Sequence, residues 1–181
     1  MKRIITILLC SLLLFKPIKV YANEDNFMPT VGVQEMIDDI TEDQAKWAYA
    51  KELGEQLQSE DLRLMSAIIW CEAGNQCEAG KQAVGIVVMN RIDDASFSNS
   101  VEKVIYEPGQ FRPKDDGKLN KALRMYDNGE LPWECIEAGI YALSGETIVN
   151  YNGQEIDMSP YLYFARSLKN KKLEIQDHDF K

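Results

Sequence analysis

The stretch Ala83-Val84-Gly85-Ile86-Val87-Val88-Met89 limits the possible folds of this chain more than any other. It is the middle of a run from Ala79 to Arg91 that reads as helix, and this middle is apolar on nearly all sides, with a strand as the alternative its valines allow. Its spacing predicts a helix that must be buried rather than laid on a surface. A helix of that kind needs other elements packed around it. Before it, Ser59 is a good N-cap with Glu60 and Asp61 in the first turn, Leu62 to Ala73 reads as helix, and Gly74 is a natural stop. After it, Ser100 to Tyr106 reads as a short helix, Lys118 to Asp127 as an amphipathic one, and Pro132 to Leu143 as another. Thr147 to Tyr151 and Tyr161 to Ala165 are rich in aromatic and β-branched residues and suit a small β element. The fold class expected is mainly α (α+β): a helical domain with a minor hairpin.

The N-terminus has a different logic. Lys2 and Arg3 precede an apolar run from Ile4 to Phe15, Lys16-Pro17 interrupts it, and Val20-Tyr21-Ala22 offers small residues for cleavage. That is the layout of a secretory signal peptide over residues 1–22, too short to serve as a lasting membrane anchor. Residues 23–58 read as an acidic linker ending in a possible helix from Thr41, with Trp47, Ala50, Leu53, Gly54 and Leu57 at helical spacing. The domain proper is expected over 59–181.

Charge then excludes several function classes. The chain carries 20 Lys+Arg against 29 Asp+Glu, net −9, and removal of residues 1–22 would leave net −13. Such a surface has little attraction for nucleic acid or an anionic membrane. One histidine and no C-x2-C pair argue against a zinc site, so neither a metal nor another cofactor is expected. Cys71, Cys77 and Cys135 make an odd count beyond the leader, so at most one internal disulfide can form, and its pairing stays open.

One residue looks out of place. On the helix from Leu62 to Ala73, the apolar stripe is Met65, Ile68 and Ile69, and Glu72 lies seven, four and three positions after them. It therefore falls on the apolar face, and in the last turn, where the helix dipole disfavours a negative charge. Burial and dipole both favour the protonated carboxyl, the form that a general acid requires. The competing reading is an ordinary glutamate turned to solvent at a helix end.

The residues around Glu72 carry a resemblance. Ile68-Ile69-Trp70-Cys71-Glu72-Ala73-Gly74, Glu78-Ala79-Gly80-Lys81-Gln82-Ala83-Val84-Gly85 and Val88-Met89-Asn90-Arg91 follow in order. Phe97-Ser98-Asn99-Ser100-Val101, Val104-Ile105-Tyr106 and Gly109-Gln110-Phe111 continue the series, with weaker matches at Ala142-Leu143-Ser144-Gly145, Leu162-Tyr163-Phe164 and a closing segment that holds His178. Over about Leu62 to Phe180 the chain resembles the SleB-like cell wall hydrolase family, that of the spore cortex-lytic enzyme catalytic domain. Gly74-Asn75 departs from it, because many relatives carry a glutamate there.

The resemblance implies a lysozyme-like, lytic-transglycosylase-like fold and a secreted, extracytoplasmic enzyme of the wall or spore envelope. It implies peptidoglycan glycan strands as substrate, cut at the β-1,4 bond between N-acetylmuramic acid and N-acetylglucosamine. Glu72 maps onto the catalytic glutamate. In a lytic transglycosylase that one group is acid and then base, and leaves a 1,6-anhydro end. A hydrolase leaving reducing ends would need a second carboxylate, for which Glu78 is the candidate. Glu78, Gln110, Phe111 and Tyr163 are the expected substrate contacts. For Glu78 the alternative is a partner for the start of the next helix; for Phe111 and Tyr163 it is a place in the core. Asn90 and Arg91 fit an end-of-helix role, and His178 a fold-closing one. A monomer is expected. A non-catalytic peptidoglycan-binding protein is the reading from another class.

Overall fold

The computed structural model describes residues 42–56, 59–111 and 117–181. The leader and most of the linker expected over 1–58 lie outside the described residues. Among the described residues six helices come first: α1 (Glu42–Gln56), α2 (Ser59–Ala73), α3 (Glu78–Asp93), α4 (Val101–Tyr106), α5 (Lys118–Asp127) and α6 (Trp133–Leu143). Five short strands follow: β1 (Ile148–Tyr151), β2 (Gln154–Asp157), β3 (Phe164–Ala165), β4 (Leu173–Ile175) and β5 (His178–Phe180). The compact unit spans residues 40–181. It starts ahead of Ser59, because α1 packs on α2 and α6 and seals Ala50 completely.

The hub of the helical layer is α2. It touches α1, α3, α4, α5 and α6. Leu62, Met65, Ala67, Ile68 and Ile69 are fully buried, and so is Ser66, whose hydroxyl donates to the Leu62 carbonyl at 2.7 Å. The sequence pattern assigns the central place to α3 alone, since α2 shows a stripe of only three large residues. Small and polar residues (Ala67, Ser66) fill the remaining faces of α2, a burial that hydropathy does not announce.

α3 has a second duty. Val84 and Val88 face the helical core, while Ala79, Ala83, Ile86 and Val87 face a separate cluster with Ala142, Val149, Met158, Ile175 and Phe180. The helix is apolar all round because it is sandwiched between helices and the β region. Gly85 permits the crossing with α6: a Cβ there would come within 2.9 Å of the Ala142 Cβ.

The β region is two sheets rather than one element. β1 and β2 form an antiparallel hairpin through Asn152 and Gly153, both at positive φ, as a two-residue turn of this hand requires. β3, β5 and β4 form the second sheet in that spatial order, all antiparallel. Thr147–Tyr151 and Tyr161–Ala165 therefore contribute to different sheets, and their partners are segments with little β signal of their own.

His178 closes this region. It is 4% exposed, its ring packs edge-on against Phe164 at 5.4 Å, and its Nδ1 is buried without a hydrogen-bond partner. Burial pushes its basicity below the ordinary 6.5, repulsion from Arg166 adds to this, and Asp177 and Asp179 oppose it. A base with a lowered folded pKa stabilises the fold fully above pH 6.5, where it is neutral in both states. That contribution is lost as pH falls through the window below 6.5, because the unfolded chain takes up the proton first. The wild type is thus expected to lose more thermal stability between pH 7.5 and pH 5.5 than a His178→Gln variant. Equal losses in paired melting curves would refute the assignment.

Candidate active site

The last turn of α2 carries Trp70, Cys71, Glu72 and Ala73. The helix ends because Gly74 N donates to the Trp70 carbonyl at 3.1 Å, and a Cβ on Gly74 would come within 2.6 Å of that oxygen. Glu72 is half-buried, next to the fully buried Ala73. The C-terminal carbonyls of α2 meet a cation: Lys118 Nζ donates to the Cys71 carbonyl. It also stands 5.5 Å above the Trp70 ring, with Lys121 at 5.7 Å. A lysine at this end offsets the dipole that otherwise works against the Glu72 carboxylate.

The loop after Glu72 is held firmly. Gln76, itself buried, accepts from Asp177 N at 3.1 Å and donates to Asp177 Oδ2 at 3.2 Å. Lys81 Nζ donates to the Gln76 carbonyl at 2.6 Å. The chain at Asn75 and Gln76 is thereby tied to the β4–β5 turn, and the C-terminal sheet fixes one wall beside the glutamate.

The end of α3 holds a second segment. Asn90 Nδ2 donates to the carbonyls of Met158 at 2.8 Å and Tyr161 at 2.9 Å, and Arg91 Nε donates to the Leu162 carbonyl at 2.8 Å. These bonds hold residues 158–162 in an irregular path that delivers Tyr163. The backbone of Tyr163 is fixed in turn by a reciprocal pair of 2.9 Å bonds with Lys181.

Arg91 is the centre of the site. It is 4% exposed, with its guanidinium carbon 5.2 Å from the Phe111 ring centroid, 5.3 Å from Phe97 and 5.7 Å from Tyr163. One terminal nitrogen, Nη1, is buried without a hydrogen bond. Burial lowers its basicity, against the pull of Tyr163, Glu107 and Glu72, which all lie within its electrostatic reach. The attraction is mutual: Arg91 favours the charged form of Glu72. The site therefore combines a half-buried carboxyl with fixed cations, a combination that lets one group give up a proton and then stay stable as an anion.

Four of the five residues singled out in the sequence gather here, in different roles. Glu72 and Tyr163 both surround Arg91, and Tyr163 is 46% exposed, free to present its ring to a ligand. Phe111 corrects the expectation of a substrate contact: it is 2% exposed, wedged between Arg91 and the Phe164 ring at 6.3 Å, and so a floor for the arginine. Gln110 is half-buried beside it, its backbone N–H closing a turn onto Glu107 at 3.3 Å. Glu78 is not brought in. It is exposed at the start of α3, accepts from Gln82 Nε2 at 3.2 Å, and its field falls on Glu137 and Tyr141 of α6.

In the sequence Arg91 reads as the end of a helix, and Lys118 gives no local signal. Cys77 and Cys135 are free thiols, and burial pushes Cys135 up to about 11. Among the described residues no group of three or more His, Cys, Asp and Glu side chains is placed to hold a metal ion. No helix among them is long and apolar enough to cross a membrane.

With this geometry in hand, comparison with known proteins is informative. The chain is 37% identical over 59 residues to the spore cortex-lytic enzyme of Bacillus cereus, a match over 33% of this chain and 23% of that protein. It is 32% identical over 95 residues to the spore cortex-lytic enzyme of Bacillus subtilis, over 48% of this chain and 30% of that protein. It thus spans less than a third of the length of these curated relatives. Among solved structures, the catalytic domain of the germination-specific lytic transglycosylase SleB from Bacillus anthracis superposes with a TM-score of 0.51. That match covers 66% of this chain and 92% of the other at 23% identity, which is a likeness of fold. The catalytic domain of the Bacillus cereus SleB protein matches with the same TM-score and identity. The mainly helical domain with small antiparallel sheets is thus the lysozyme-like fold that the sequence motifs imply. The model of the Cell Wall Hydrolase family matches residues 75–181, more than half of the chain, beginning three residues after Glu72. The chain belongs to the cell wall hydrolase family.

Proposed function

We propose that this protein is a secreted peptidoglycan-lytic enzyme. It cleaves the β-1,4 bond between N-acetylmuramic acid and N-acetylglucosamine as a lytic transglycosylase, with Glu72 as the only proton-transfer group. The observation that carries this reading is a half-buried glutamate in the last turn of the hub helix α2, within electrostatic reach of a buried arginine that also holds an exposed tyrosine.

The chemistry balances with one carboxyl. Protonated Glu72 gives its proton to the glycosidic oxygen as the bond from that oxygen to the muramoyl anomeric carbon breaks. The resulting carboxylate, favoured by Arg91, then accepts the proton of the muramoyl 6-hydroxyl as that oxygen bonds to the anomeric carbon. Glu72 ends protonated, no water is consumed, and the product is a 1,6-anhydro end. A hydrolase with two carboxylates would recruit Glu78, whose electrostatic partners lie on α6. Tyr163 and Gln110 border the sugar, while Phe111 acts from below through Arg91. Work on a wall polymer places the protein outside the cytoplasm, in keeping with the leader read in residues 1–22, and it acts as a monomer.

The test is to digest purified sacculi and cortex fragments in water enriched in oxygen-18 and to read the muropeptides by mass spectrometry. Anhydro-muramoyl ends without label are expected. Labelled reducing ends would establish hydrolysis instead, and bound but uncut strands would leave a peptidoglycan-binding protein.

A further inference from the structure

A groove of about 560 Å³ opens between the loop at Asn75 and the β4–β5 hairpin, away from the Arg91 cage. Asn75 is three residues from Glu72, so their Cα atoms are at most about 11 Å apart. The groove therefore adjoins the proposed cleavage point.

Its charges are arranged unevenly. Lys171 is committed, to Asp179 at 2.9 Å and Glu174 at 2.5 Å. Arg166, exposed on the groove wall, pairs with no carboxylate of the described residues. Asp177 receives only neutral donation, from Gln76 Nε2 at 3.2 Å, and no lysine or arginine of the described residues bonds to it. A fork-shaped cation and a carboxylate tied to Gln76 thus line one groove without neutralising each other. The tie between Asp177 and Gln76 keeps that carboxylate in place while the groove is empty.

We infer that this groove is a subsite for the peptide arm of the glycan strand, with Arg166 taking a peptide carboxylate and Asp177 a free ammonium group. The inference rests on the reading of the chain as a peptidoglycan enzyme and names which strands it takes. Sugars are neutral apart from the carboxyl that carries the peptide, so a bare strand cannot satisfy both charges. A peptide holding a diamino acid presents both. An Arg guanidinium suits a carboxylate by its paired donors.

The experiment uses the full-length protein with its Glu72→Gln change, so that binding is read without turnover. Soluble glycan oligomers bearing peptides are compared with the same oligomers stripped by an amidase, by calorimetry. Peptide-bearing oligomers are expected to bind about tenfold more tightly, and a further Arg166→Gln change to remove that preference while leaving the stripped oligomers unaffected. Adding Asp177→Asn, which retains an oxygen and an amide for Gln76, should weaken only oligomers whose diamino acid has a free amine. Circular dichroism melts confirm folding of each variant. Equal affinity for the two oligomers, or an equal loss on both from Arg166→Gln, would overturn the subsite. Failure of the cleavage reading shows separately, as wild-type protein that binds strands but releases no product. Absence of binding to either oligomer would defeat both.

Discussion

Glu72→Gln is expected to reduce release of muropeptides by about 10²- to 10⁴-fold, with the fold and strand binding retained. The amide has nearly the same shape as the acid, but it neither delivers a proton to the glycosidic oxygen nor accepts one from the 6-hydroxyl. Because one group serves both halves of the proposed cycle, the substitution removes both, and Glu78, whose electrostatic partners lie on α6, is not placed to take over. Stability should change by less than about 1 kcal/mol, since the side chain is half-buried at a helix end, and loss of a negative charge there relieves the dipole while depriving Arg91 of a counter-charge. The measurement is initial rate on sacculi, with melting curves and pull-down on the same preparations. A folded Glu72→Gln protein that keeps a third or more of wild-type rate would transfer the acid role to another residue and end the single-carboxyl mechanism. Glu78→Gln serves as the contrasting control: its exposed place at the start of α3 predicts an effect of less than about threefold.

The sequence made part of this site readable, and the reasons are specific. Glu72 was visible because it breaks a pattern: an ionisable side chain in phase with Met65, Ile68 and Ile69 contradicts the helix it sits on. The helices were visible because their periods, caps and stops agree; Ser100 accepts from Lys103 N at 3.3 Å as a helix N-cap should. Arg91 was visible only as a letter in a motif. Its environment comes from Phe97, Phe111 and Tyr163, which three separate segments bring together, and no local pattern reports such a meeting. The β region shows a different kind of miss. Asn152-Gly153 is a strong two-residue hairpin signal, yet Gln154-Glu155-Ile156-Asp157 is so polar that it does not read as a strand. The second sheet depends on β5, whose three residues His178, Asp179 and Phe180 are all buried, against the expectation for a polar chain end. The lesson from these elements is that local contradictions disclosed the reactive group, whereas the cations that tune it were set by tertiary contact.

Arg91 is the residue at which stability and chemistry separate, and two substitutions there are expected to differ sharply. Arg91→Ala leaves a void between three aromatic rings and orphans the Leu162 carbonyl, which now accepts at 2.8 Å. Together these should cost about 3 kcal/mol of folding stability, partly offset because a desolvated charge is removed. Arg91→Met fills the same space without the charge, so it should stay within about 1–2 kcal/mol of the wild type, yet lose about 10²-fold in kcat through misplacement of the cleft wall that carries Tyr163. The two effects have distinct signatures. Loss of packing moves the melting temperature alone. Loss of the positive charge beside Glu72 also moves the pH–rate profile upward, since the carboxylate that must take the 6-hydroxyl proton is no longer favoured by a cation. Arg91→Lys retains the charge but not the forked donor, and should recover the wild-type pH profile while recovering stability only in part. If Arg91→Met folds normally and retains both kcat and the pH profile, the guanidinium is merely a packing element, and the tuning of Glu72 must come from the Lys118 side of the site, through the ammonium group on the Cys71 carbonyl.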